Sequence, residues 1–104
     1  YKERKHQINM KKSDKITPEK IEKYFEISKS AFKEAKEAIN KSHKEEAETI
    51  LDMASRYISD AEYFKKKEDL VNCFAALNYA HGWLDTGSKL GFFDVTNDKI
   101  FIII

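Results

Sequence analysis

The sequence predicts an all-α protein: a three-helix, up-and-down antiparallel bundle with a short extended C-terminal tail. Three observations carry that prediction. Apolar residues recur at spacings of three and four in three successive stretches, as one face of a helix requires. The links between the stretches are only a few residues long, which makes consecutive helices antiparallel neighbours. Start and stop residues bracket the stretches, Thr17-Pro18 before the first and Gly91 after the last, where a helix begins and ends.

Residues 1–16 read as a basic N-terminal arm. Lys2, Arg4, Lys5, Lys11, Lys12 and Lys15 against Glu3 and Asp14 leave it at net +4, and it shows no apolar period. The first residue is Tyr1, which reads as a cut from a longer product, with Met10 as an alternative start. The bundle itself is expected over 17–91, with helices at about 18–40, 43–66 and 69–90. Thr17-Pro18 is a strong helix start: a side-chain oxygen for free amides, then a residue that needs no N–H. Ile21, Tyr24, Phe25, Ser28, Ala31, Phe32, Ala35, Ala38 and Ile39 follow on one face. Asn40 is expected in the left-handed position that ends this helix. Ser42 and Glu45 are spaced as a capping box for the second helix, whose stripe is Ala47, Ile50, Leu51, Ala54, Tyr57, Ile58, Ala61 and Phe64.

Lys65-Lys66-Lys67-Glu68 forms the second link, and Asp69 is the expected cap of helix three. That helix carries the widest apolar arc. Leu70, Phe74, Leu77, His81 and Leu84 line one side, while Cys73, Ala76, Ala80, Trp83, Gly87 and Leu90 line the next. Such an arc is expected to contact both other helices and something further. Gly91 is a natural stop. The remainder, 92–104, reads as an extended apolar tail with a turn signal at Thr96-Asn97-Asp98 and a β-branched run at its end. Burying each of the five residues Ile100 to Ile104 is worth about 1.5–3 kcal/mol, so the tail is expected to dock on the bundle or on a partner.

Composition narrows the function classes. Net charge is +1, so no global field drives the chain to nucleic acid or membrane. No apolar run reaches the roughly 18 residues of a membrane span. The single cysteine, Cys73, points to a reducing, cytoplasmic setting and to a small buried hydrophobe. Basic residues that are almost all Lys, with few Gly and Pro, resemble heat-adapted compositions.

Asn78, His81 and Asp85 fall at spacings of three and four within helix three, so they share a face. As a site, they offer a carboxylate-oriented histidine or two metal ligands. One helix normally supplies two ligands where a metal needs three or four, and no His-x-x-x-His or Cys-x-x-Cys adds the rest. No metal, cofactor or catalytic residue is therefore assigned, and the three stand as a candidate polar cluster. Their packing reading is that hydrogen-bonded polar groups join helix three to its neighbours. His43 is expected to be solvated.

The run "AALNYAHGWLDTGSKLGFFDV", residues 75–95, resembles the signature of a small archaeal family known as domain of unknown function 357. Asn78, His81, Gly82, Trp83, Asp85, Gly87, Leu90 and Gly91 carry the likeness, which extends over about residues 17–95. It implies an archaeal three-helix bundle and brings no activity with it. The leading functional expectation is a non-enzymatic interaction or accessory module. Its candidate interface is Trp83, Phe92, Phe93, Ile100, Phe101, Ile102, Ile103 and Ile104, and its partner a protein or a second copy. A small-molecule or metal-binding pocket at Asn78, His81 and Asp85 is the alternative. Weak nucleic-acid contact through the basic arm is the third reading.

Overall fold

A computed structural model of the chain describes residues 14–95; most of the basic arm and the run Ile100–Ile104 lie outside the described residues. Helix α1 spans Pro18–Glu37, α2 Lys44–Lys66 and α3 Leu70–Lys89. Thr17 caps α1 as its sequence predicts, its Oγ1 accepting from the Lys20 amide at 3.1 Å. Asp69 caps α3 in the same way: Oδ1 accepts from the Asn72 amide at 3.1 Å and Oδ2 from Asn72 Nδ2 at 2.7 Å.

The three helices meet in two apolar clusters that fix their directions. One joins Ala31 and Ala35 of late α1 to Ala47, Ile50 and Ala54 of early α2 and Leu84 of late α3, with Phe93. The other joins Ile21 and Phe25 of early α1 to Ala61 of late α2 and Cys73, Ala76 and Leu77 of early α3. Each cluster thus pairs a helix start with its neighbour's end, which is up-and-down antiparallel order. Helix α3 packs on both others and most extensively on α2. Ala47, Ala54 and Ala61 recur every seven residues on α2, and all three are fully buried. Residues this small let the α2 and α3 axes approach closely.

The α1–α2 link departs from expectation. Helix α1 stops at Glu37, and Asn40 is extended at φ −75° rather than left-handed. Asn40 caps a single 3₁₀ turn, Lys41–His43, with its Oδ1 accepting from the Ser42 amide at 3.0 Å. The capping box does not form, because Ser42 lies inside that turn. His43 precedes α2 without a side-chain cap bond, and its ring packs on Phe92 at 5.3 Å between centroids. A long-range contact outcompetes the local signals. Asn40 Nδ2 donates to the Gly91 carbonyl at 2.9 Å, and the Asn40 amide donates to the Phe92 carbonyl, also at 2.9 Å. With the Asp94 amide on the Ala38 carbonyl at 2.7 Å, the segment after α3 pairs with the link through an isolated antiparallel bridge between Ile39 and Phe93.

Helices α2 and α3 end in the same motif. After α3, Gly91 is left-handed at φ 82°, the Phe92 amide reaches the Gly87 carbonyl at 2.8 Å, and the Gly91 amide reaches Ser88. After α2, the Asp69 amide reaches the Phe64 carbonyl at 2.9 Å and the Glu68 amide reaches Lys65. This is the paired closure that satisfies free helix carbonyls. Here the left-handed residue is Glu68, at φ 60°, where a side chain other than Gly is strained. Glu68→Gly is expected to stabilise the fold by about 0.5–1 kcal/mol, read as a higher urea midpoint with an unchanged slope.

Candidate functional site

Between the two apolar clusters lies a polar level. Ser28 on α1 sits between Phe25 and Ala31, and His81 on α3 between Leu77 and Leu84. Ser28 is fully buried and His81 is 1% exposed. Ser28 Oγ, His81 Nε2 and Asn78 Oδ1 are buried and have no hydrogen-bond partner among the described residues. An unpaired buried polar group of this kind costs about 1–3 kcal/mol. Burial lowers the pKa of His81 below its ordinary value, and the nearby Asp85 carboxylate opposes that shift. The ring is therefore held neutral.

The three polar residues singled out in the sequence do not converge on one cavity. His81 points into the interior. Asp85 pairs with Lys89, Oδ2 to Nζ at 3.0 Å. Asn78 lines an open groove on the outer side of α3, with Ala75, Tyr79, Gly82, Trp83 and Thr86, of about 630 Å³. Neither His81 nor Asp85 borders it. No group of three or more His, Cys, Asp and Glu able to hold a metal occurs among the described residues. Ser28 was legible only as a member of the α1 stripe; a hydroxyl at an otherwise apolar position was the available signal.

The candidate interface residues are divided. Phe93 is 3% exposed within the core. Phe92 and Trp83 pack partly on the same cluster. Ile100, Phe101, Ile102, Ile103 and Ile104 lie outside the described residues.

Two other features have chemistry of their own. A cavity of about 580 Å³ between α1 and α2 is lined by Glu22, Phe25, Glu26, Lys29, Glu62, Lys65 and Lys66. Its charges answer one another: Lys29 meets Glu62 at 3.1 Å, and Lys65 meets Glu22. Both lysines also lie over the Phe25 ring, at 5.4 and 5.2 Å from its centroid. The arrangement clasps two helices that otherwise touch little and leaves no surplus charge for a ligand. Cys73 is fully buried. Burial pushes its thiol up, with Lys65 opposing and Asp69 and Glu22 adding to the rise, so no thiolate nucleophile forms at neutral pH.

The model of a family described as "Protein of unknown function (DUF357)" matches residues 23–93. The chain belongs to that family. The DUF357 match takes in α2 and α3 whole and most of α1, and it includes Ser28, Asn78, His81, Trp83, Asp85 and Phe93. The description of DUF357 names no activity, so membership establishes none. No curated protein and no solved structure matches the chain significantly.

Proposed function

We propose that this DUF357 protein is a non-enzymatic interaction module whose contact surface is the outer face of α3. One observation carries the reading. Val71, Ala75, Tyr79, Gly82, Thr86 and Leu90 form an exposed stripe without a charge, in a chain of which 36% is charged. Its large members stay open: Val71 is 67%, Tyr79 61% and Leu90 60% exposed. A contiguous apolar patch held in water is the usual mark of a protein contact. Tyr79 is also stiffened by stacking on Tyr57, with centroids 5.0 Å apart and planes 13° from parallel, as suits an interface anchor.

A photo-crosslinking side chain tests this in cells that express the full chain. Placed at Val71 or Thr86, it is expected to give discrete protein adducts; placed at Glu48, on the charged outer face of α2, it is expected to give none. Equal labelling from all three positions would end the interaction reading. A second reading has one observation behind it. Asn78 lines the groove, and its Oδ1, buried beneath the surface, lacks a donor; a turn of the amide would offer it to a small apolar ligand with one N–H or O–H. In that case a small molecule would suppress labelling from Thr86.

A further inference from the structure

We infer that the surface on α3 pairs with a second copy of this chain, antiparallel, in a register where paired residue numbers sum to 161. The inference rests on the interaction reading above and names its partner. The exposed stripe Val71, Ala75, Tyr79, Gly82, Thr86 and Leu90 has spacings of four, four, three, four and four. That series is the same read in either direction. Two such helices laid antiparallel about a two-fold axis therefore bring every member of the stripe opposite another member, as an isologous contact requires.

The pairs that result fit in size. Tyr79, the largest, falls opposite Gly82. Ala75 meets Thr86, and Val71 meets Leu90. Gly82 is otherwise hard to account for. A glycine inside a helix costs about 1 kcal/mol relative to alanine, and a Cβ placed there would meet nothing within 4 Å. Its own fold does not need the space, whereas the tyrosine ring of a second copy does.

Charge agrees with the antiparallel direction. The stripe is uncharged, and the charges at its ends differ in sign: Asp69 caps the start of α3 and Lys89, with a 76% exposed side chain, closes it. Antiparallel pairing opposes the two helix dipoles and sets the end of α3, where Lys89 is bridged to Asp85, beside the start that Asp69 caps in the other copy. Parallel pairing would set like charges together.

The area sets the strength. A helix of 20 residues is about 30 Å long, and a strip about 10 Å wide gives roughly 300 Å² per copy. A stable interface uses roughly 800 Å² per partner. The α3 contact is thus a weak, exchanging dimer.

Cysteine pairs in the full chain read the register. In antiparallel pairing, Ala75→Cys with Thr86→Cys brings unlike positions together. Like positions stay 11 residues apart along the axis, about 16 Å. The double variant is expected to form a disulfide dimer under mild oxidation, and each single variant is expected not to. Both positions are exposed, so folding is spared, and Cys73 is buried out of reach. Sedimentation equilibrium of the unmodified chain is expected to show mass rising with concentration. Gly82→Glu is expected to weaken association by at least about tenfold while helical circular dichroism is kept.

A chain that stays monomeric to about 1 mM and yields no disulfide dimer overturns the inference. So does cross-linking of the single variants as readily as the double, which would mean a parallel pair. If monomeric chains still give adducts to other proteins from Val71 and Thr86, self-pairing fails and the interaction reading stands. Coverage of the face by the chain's own tail would show as neither dimer nor foreign adduct.

Discussion

Phe93→Ala is expected to lower the unfolding free energy by about 3–5 kcal/mol, the range for emptying a buried aromatic site. Phe93 lies beyond the last helix, yet it is 3% exposed and belongs to the same cluster as Ala35, Ile50 and Leu84. Its seat is made by a glycine. A Cβ on Gly87 would come within 2.7 Å of Phe93 Cε2, closer than carbon atoms sit, and within 3.2 Å of Ile50 Cγ2, a tight contact that a small shift relieves. Gly87→Ala is therefore expected to cost about 1–3 kcal/mol by overpacking, although alanine is the better helix former by about 1 kcal/mol. The two effects must interact. Once Phe93 is alanine, the nearest clashing atoms are gone, and Gly87→Ala should become neutral or stabilising. Urea unfolding of the parent, both single variants and the double variant gives the coupling directly. Additive costs would mean that Phe93 does not occupy that seat.

The contrast between what the sequence made legible and what it did not follows from the range of the forces involved. Thr17-Pro18, Asp69 and Gly91 act on amides and carbonyls within a few residues, and the structure uses each as the local chemistry dictates. The three apolar stripes were legible for the same reason, since a period is a local property. Asn40 and Ser42 carry equally strong local signals that lose. The Asn40 side chain bonds the Gly91 carbonyl 51 residues away, and no local pattern encodes that competitor. Glu68 gave no signal at all; its left-handed turn is imposed by the closure of α2 against the start of α3.

The candidate site divides along the same line. That His81 and Asp85 lie one turn apart was legible. Asp85, however, has a possible partner one turn on each side, His81 before it and Lys89 after it. Pairing with His81 would desolvate both groups in the interior, while pairing with Lys89 keeps both partly in water, and desolvation decides between them. The spacing was right and the choice of partner was not contained in it. What makes the outer face of α3 notable is likewise an absence of charge, visible only once burial has divided the wide apolar arc into an inner side and an outer one.

His81 is expected to weaken the fold in acid. Burial lowers its pKa and Asp85 raises it less, so the folded chain binds its proton only below the pH at which the unfolded chain does. The unfolded histidine titrates near 6.5. Above that value both states are neutral at this position, and stability is unaffected. As pH falls below it, the unfolded state gains a proton first, and stability drops by up to about 1.4 kcal/mol per pH unit until the folded state is protonated too. His81→Gln and His81→Leu are each expected to abolish this part of the pH dependence. The slope shared with the carboxylates remains. His81→Leu, which also removes a buried nitrogen without a partner, should be the more stable of the two. Asp85→Asn removes the opposing carboxylate and is expected to carry the loss to lower pH. Thermal or urea unfolding of the four chains between pH 7.5 and 4.5 provides the measurement. Parallel curves for the parent and both His81 variants would mean that the histidine is hydrated in the folded chain, and the polar level between the two clusters would then be open to water.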